Sequence, residues 1–150
     1  MSWTPWDMWR TFAGRTLCSD KWMCEWKDRK RRLALMDPPQ VQQALLNLAM
    51  NAVEASTSGS VVTLRAQNEE ANVRIDLENG NGPIPEAVVP SIFEPFFTTK
   101  LSGTGLGLPI AHNIARSHAG QLQLTMNTPK IVCFTLTLPK VNGSPDTKKA

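Results

Sequence analysis

PQVQQALLNLAMNAVEAS, residues 39–56, sets Val41, Ala44, Leu45, Leu48, Ala52 and Val53 at three- and four-residue steps. That spacing predicts a strongly amphipathic helix over 39–56, with Asp37 placed before Pro38 to cap it. Asn47 and Asn51 lie four residues apart, so their carboxamides leave the same side of the helix one turn apart. Asparagine weakens a helix by competing for backbone hydrogen bonds, so two of them in a helix patterned for burial need a reason. Two readings stand. Both asparagines sit idle on a wet face, or their neutral oxygens ligate a hard cation such as Mg²⁺.

Outward from this helix, STSGS (56–60) ends it, and VVTLRAQ (61–67) and ANVRIDLEN (71–79) alternate apolar and polar residues. They read as two strands joined by a polar turn at Asn68–Glu70. A glycine- and proline-rich loop (80–90) leads to SIFEPFFTTK (91–100) and LSGTGLGL (101–108). Residues 109–118 predict a second helix ending near Gly120 as its C′ residue. QLQLTMN (121–127) and IVCFTLTLP (131–139) close the domain as strands, and 141–150 reads as a disordered polar tail. Upstream, all five tryptophans fall in the first 26 residues. Trp6, Trp9 and Phe12 predict a short helix over 5–13. Trp22, Cys24 and Trp26 alternate, as do Leu33 and Leu35, which suggests a hairpin around the basic turn KDRKRR (27–32). The fold class expected is α/β: a two-layer sandwich whose mixed, mostly antiparallel sheet carries helices near 5–13, 39–56 and 109–118 on one face.

Composition narrows the classes further. A chain of 150 residues, 41% apolar and 19% charged, can bury about two-thirds of its unfolded surface as one domain. No apolar run reaches the roughly 20 residues that span a bilayer. MSWTPWDMWR lacks the apolar core and cleavage site of a secretory signal. Cys18, Cys24 and Cys133 make no C-x-x-C pair, which argues for a reducing, cytoplasmic setting and against zinc or disulfide scaffolding. A formal charge of +3 does not indicate nucleic acid as a partner.

SGTGLGL runs directly into the helix PIAHNIARSH. Glycines at 103, 105 and 107 let backbone N–H groups approach an anion at a helix N-terminus. No Gly-Lys-Ser/Thr follows, so this is not a Walker A loop, and no strand feeds it, so it is not a dinucleotide fingerprint.

In combination these pieces are specific. The chain resembles the ATP-binding catalytic domain of bacterial sensor histidine kinases, of the short-lid nitrogen-sensor type, in the wider group with the Bergerat-type ATP-binding fold that includes gyrase B, Hsp90 and MutL. NLAMNAVEA (47–55) is similar to the N box, NGNGPIP (79–85) to the first glycine box, IFEPFFTTK (92–100) to the F box and lid, and GTGLGL (103–108) to the second glycine box. The resemblance covers residues 33–140, within a domain expected over 1–140.

It implies ATP and Mg²⁺ as cofactors, with Asn51 holding the metal and Asn47 on the phosphate side. It places Thr98, Thr99 and Lys100 in the lid over the phosphates, with Phe93 and Phe96 packing the lid base. Gly105, Leu106 and Gly107 would offer backbone N–H groups. Gly80, Gly82, Ile84, Gly103, Thr104 and Leu108 complete the implied nucleotide surface, and Asn51 and Lys100 carry the implied catalysis. The implied activity is transfer of the γ-phosphoryl group to a histidine on separate dimerisation and phosphoacceptor helices, with a response regulator as an indirect partner. The alternatives are a serine kinase of the anti-sigma type and a degenerate nucleotide-binding or docking module.

Two departures from the family pattern matter. The first glycine box usually opens with an aspartate that accepts from the adenine amine, and no aspartate stands there. Matching the glycines offers Glu78, whereas matching Ile84-Pro85 and the distance to Phe93 offers Asn79. Strand parity favours Asn79, because Val73, Ile75 and Leu77 face the core and Asn79 continues that side. Exchanging a charged for a neutral acceptor costs about 1 kcal/mol, so weakened ATP binding is expected. The second departure is that His112 and His118, the only histidines, follow the second glycine box outside any H-E/D-x-x-x-P context. They read as helix-surface or cap residues, and the acceptor histidine is expected on another domain.

Overall fold

The computed structural model describes residues 17–19, 22–24, 37–57 and 59–140. The expected helix at 5–13, the basic run at 27–32, the Leu33–Leu35 stretch and the tail at 141–150 lie outside the described residues. Leu17–Ser19 (β1) and Trp22–Cys24 (β2) form an antiparallel pair, with Leu17 opposite Cys24 and Ser19 opposite Trp22. The partner found for the Trp22–Cys24 strand is therefore the segment before it. Only two residues separate those strands in sequence, so closing that loop costs little entropy.

Pro38–Ala55 forms α1, within one residue of the expected bounds. Asp37 occupies the N-cap position with extended backbone but makes no side-chain cap hydrogen bond. Pro38 and Pro39 explain this: neither has an N–H, so two of the orphan donors a cap would satisfy are missing. Val62–Asn68 (β3) and Asn72–Asn79 (β4) form one hairpin, and Gln121–Asn127 (β5) and Val132–Pro139 (β6) form another. The sheet order is β3-β4-β6-β5, and every pairing in it is antiparallel.

Alternation assigns the two faces. Val62 and Leu64, Val73, Ile75 and Leu77, Leu122, and Val132, Phe134, Leu136 and Leu138 are buried on the inner face. Val41, Ala44, Leu45, Leu48 and Ala52 of α1, with Ala111 and Ala115 of α2 (Gly107–Ser117), close over them as one core. Phe134 is 1% exposed at its centre. The outer face carries polar residues: Arg65 pairs with Glu78 at 3.1 Å, and Arg74 donates to both oxygens of Asp76 at 3.0 and 3.1 Å. That paired carboxylate also holds the Arg74 guanidinium pKa above its ordinary value. Cys133 is buried among these groups, and burial pushes its thiol up, away from the reactive thiolate.

α2 ends differently from expectation. Ala119, not Gly120, takes the left-handed conformation, with φ 56°. Ala119 N–H donates to Arg116 O at 3.0 Å and Gly120 N–H to Ala115 O at 2.8 Å, the paired bonds of a Schellman motif. Gly120 is required for space instead, since a Cβ there would lie 2.2 Å from Thr137 O. An alanine at positive φ costs about 1–2 kcal/mol. Ala119→Gly removes that strain at the cost of about 0.4–1 kcal/mol of extra chain entropy in the unfolded state. The expected result is a melting temperature a few degrees higher; a lower one in a thermal melt would contradict this account.

Candidate nucleotide site

Strand parity, helix phase and loop crossing bring Asn47, Asn51, Asn79 and the glycine-rich 103–107 segment to one end of the sandwich. There α1, the ends of β4 and β6, the 81–88 loop, the 97–106 segment and the N-terminus of α2 enclose a cleft of about 550 Å³. Its floor includes Asn79, Val132 and Phe134, and Asn79 sits opposite Val62 on one side and Val132 on the other.

Asn79 is 4% exposed and lines the cleft, while Glu78 turns to the outer face and pairs with Arg65. Asn79 Nδ2 donates to Asn81 O at 3.0 Å, which fixes the amide and leaves its oxygen as the acceptor to offer. In this register the box reads Asn79-Gly80-Asn81-Gly82-Pro83-Ile84. Gly80 and Gly82 fall outside the cleft lining, whereas Asn81 and Ile84 belong to it. Gly82 serves packing instead, because a Cβ there would meet Thr128 O at 2.5 Å.

Asn47 and Asn51 both line the cleft from α1. Asn47 Nδ2 is buried without a hydrogen-bond partner among the described residues. An orphaned buried donor costs about 1–3 kcal/mol, which an anionic oxygen placed there would recover. Asn51 Oδ1 accepts from Lys100 Nζ at 3.2 Å, so this oxygen already faces a cation. Lys100 Nζ also donates to Glu54 Oε2 at 2.8 Å. Among the described residues no group of three or more His, Cys, Asp or Glu could hold a metal, so a hard cation would draw most of its oxygens from the ligand and water. Asn51 Oδ1 would be one protein oxygen able to join such a shell.

The 96–105 loop is shaped by glycine geometry. Gly105 has φ 69°, and Phe96 N–H donates to Gly105 O at 2.9 Å, which closes the 96–105 loop at its base. Thr98, Thr99, Lys100, Gly103, Thr104, Gly105, Leu106, Gly107 and Leu108 all line the cleft. α2 starts at Gly107 with no side-chain cap, so its first N–H groups are free to meet an anion.

The two phenylalanines part company. Phe93 packs inward, stacked on His112 with centroids 4.9 Å apart and edge-on to Phe134 at 6.3 Å. Phe96 does not pack the lid base: it is 76% exposed, has φ 65° and lies outside the cleft lining. Its backbone, bent to reach Gly105 O, turns the ring outward, and Phe97 lines the cleft in its place. His118 is a cap residue: Nε2 accepts from Asp37 N–H at 3.1 Å and Nδ1 lies 2.8 Å from Ile114 O, tying the end of α2 to the start of α1.

Three contributors escaped the sequence reading. Glu54 had a signal, since it follows Asn51 by three residues on the same helix face. Asn81 donates to Ala55 O at 3.1 Å and accepts from Ser60 Oγ at 3.3 Å, joining the loop to the end of α1. Asn127 clamps the opposite wall, with Ile84 N–H donating to its Oδ1 and its Nδ2 donating to Ile84 O, both at 2.8 Å. Asn127→Ala strands two backbone groups and is expected to cost about 2–3 kcal/mol in a denaturation experiment while loosening the Ile84 wall. Unchanged stability would show that water replaces the clamp.

Comparison with known proteins agrees with this geometry. Residues 36–142 match the family described as histidine kinase-, DNA gyrase B-, and HSP90-like ATPase. The chain belongs to that family. Sensor histidine kinase ZraS of Escherichia coli strain K12 is 40% identical over 103 residues, which is 69% of this chain and 22% of ZraS. Sporulation kinase A of Bacillus subtilis strain 168 is 36% identical over 104 residues, 69% of this chain and 17% of that kinase. The chain thus matches less than a quarter of each relative's length. The solved catalytic domain of histidine kinase ThkA aligns with a TM-score of 0.71 at 34% identity, covering 80% of this chain and 78% of that domain. The fold of this family member is that of a histidine kinase catalytic domain, and the family is one of ATP-binding modules. No helix among the described residues is long and apolar enough to cross a membrane.

Proposed function

We propose that this family member binds ATP with Mg²⁺ in the 550 Å³ cleft and donates the γ-phosphoryl group to a histidine on a separate dimerisation and phosphoacceptor domain. One observation carries the reading: Asn47, Asn51, Lys100 and the uncapped N-terminus of α2 all face a single cleft whose floor sets apolar Val132 and Phe134 beside Asn79. Such a site separates the two ends of a nucleotide. Adenine lies over Phe134 and Val132 with its amine toward Asn79, and the phosphates lie against the amides and the lid.

Asn51 would hold Mg²⁺, which would neutralise charge on the triphosphate. Lys100 then exchanges Asn51 and Glu54 for phosphate oxygens, supplying a mobile point charge. Phosphoryl transfer needs mainly positioning and charge stabilisation, so these groups suffice on the donor side. In the step itself the bond from the γ-phosphorus to its bridging oxygen breaks, ADP leaves with that electron pair, and a phosphorus–nitrogen bond forms on the acceptor imidazole. Phe96 and Leu101, both exposed at the lid, with Met50 and Ile110 at the rim, give the acceptor helices an apolar surface to meet. A solved complex of ThkA with response regulator TrrA, 31% identical to this chain, supports an indirect regulator partner.

The test is calorimetry with ATP in the presence and absence of Mg²⁺, followed by transfer to an added acceptor domain. Mg²⁺-dependent binding and an acid-labile phosphohistidine are expected. Acid-stable phosphoserine would turn the assignment to the serine-kinase alternative. No nucleotide binding at all would favour the docking-module alternative, to which the neutral Asn79 lends its weight.

A further inference from the structure

Asn47 offers the cleft only half of its carboxamide. Its Oδ1 accepts from Gln43 Nε2 at 3.1 Å, one turn earlier on α1. What remains is Nδ2, the buried donor without a partner among the described residues. Arg65 Nε shares that condition, but it belongs to the outer sheet face and the Glu78 pair. A carboxamide exchanges donor for acceptor by a half-turn about its last side-chain bond, and packing alone barely distinguishes the two ends. A hydrogen bond to one end does distinguish them.

We infer that Gln43 is a positioning residue, which fixes Asn47 with its oxygen turned back along the helix and its NH₂ reserved for the ligand. The inference rests on the proposed ATP reading, since a triphosphate is an array of acceptors and a site presenting Asn47 Oδ1 would repel it. Gln43 is exposed on the helix surface and does not itself line the cleft; it reaches the lining through its hydrogen bond to Asn47. Its effect must therefore pass through Asn47.

The test is Gln43→Glu, nearly identical in shape, which can only accept. A carboxylate at 43 recruits Asn47 Nδ2 and turns Oδ1 toward the phosphates. ATP affinity by calorimetry is expected to fall about tenfold, while adenosine, lacking phosphates, binds as before. The added charge could act directly on ATP, so the same change is made in an Asn47→Ala background. There its effect is expected to shrink below about twofold, because the group it turns is gone. Gln43→Lys, which can only donate, is expected to keep wild-type affinity or better. An equal loss from Gln43→Glu in both backgrounds overturns the positioning role yet leaves ATP binding intact. Failure of the unaltered protein to bind ATP overturns the functional reading itself, and this role with it.

Discussion

Gly105→Ala is expected to cut affinity for ATP·Mg²⁺ by at least about 30-fold while leaving the melting temperature within a few degrees of the parent. Two costs combine at this position. The backbone has φ 69°, where alanine loses about 1–2 kcal/mol. The added Cβ would also lie 2.5 Å from Phe96 C and 2.8 Å from Phe96 Cα and O. These are backbone atoms that no rotamer change can move, and overpacking of this kind costs about 1–3 kcal/mol. Two kcal/mol or more, charged to the closed lid, is roughly 30-fold or more in binding.

The loss stays local. The 96–105 loop is joined at its base by Phe96 N–H to Gly105 O, and no residue between those two belongs to the buried core. The sandwich can therefore keep its packing when the loop springs open. The neighbouring glycines provide an internal scale. A Cβ at Gly103 would lie 2.5 Å from Thr98 Oγ1, a side-chain atom that can rotate away, so Gly103→Ala should cost less. A Cβ at Gly107 would meet Asn47 O at 4.0 Å, ordinary contact, so Gly107→Ala should be nearly silent. Calorimetry on the three variants checks the order 105, 103, 107. Equal affinities would mean that lid closure does not contribute to binding.

That ranking could not be read from the sequence, where the three glycines look equivalent. What local pattern determines was legible: α1 and the four sheet strands fall within a residue or two of their expected bounds, because each carries its own period. Asn79 against Glu78 was also legible, since parity along β4 is a property of the strand alone, and the buried Asn79 and outward Glu78 follow it. What depends on two distant segments was not. The Asn127 clamp on Ile84 spans 43 residues, and the Lys100 contact with Asn51 spans 49. The outward turn of Phe96 follows from its backbone bond to Gly105, and the hairpin partner of Trp22–Cys24 was chosen by loop length. Ala119 took the left-handed position that Gly120 was expected to fill, because Gly120 was needed one step later for clearance from Thr137.

Asn51→Ala should separate stability from chemistry more sharply than any other single change. Alanine is the better helix former by up to about 0.7 kcal/mol, and Asn51 is not a member of the buried core, so the melting temperature should hold or rise. The same truncation removes the α1 oxygen proposed to hold Mg²⁺ and one of the two oxygens that seat Lys100. Removing a single charge-stabilising group from a site of this kind typically costs about 10²- to 10³-fold in rate. Phosphotransfer to an added acceptor should fall by about that factor, and adding Mg²⁺ should no longer tighten ATP binding.

Asn51→Asp sharpens the distinction. It restores an oxygen but adds a second carboxylate beside Glu54, so Lys100 is held more firmly where it already sits and the triphosphate meets a negative charge. That variant should bind Mg²⁺ yet take up ATP poorly. A truncated Asn51 that kept full Mg²⁺ dependence would move the metal away from α1, and Lys100 would then be the sole cationic group the protein brings to the γ-phosphate from the lid.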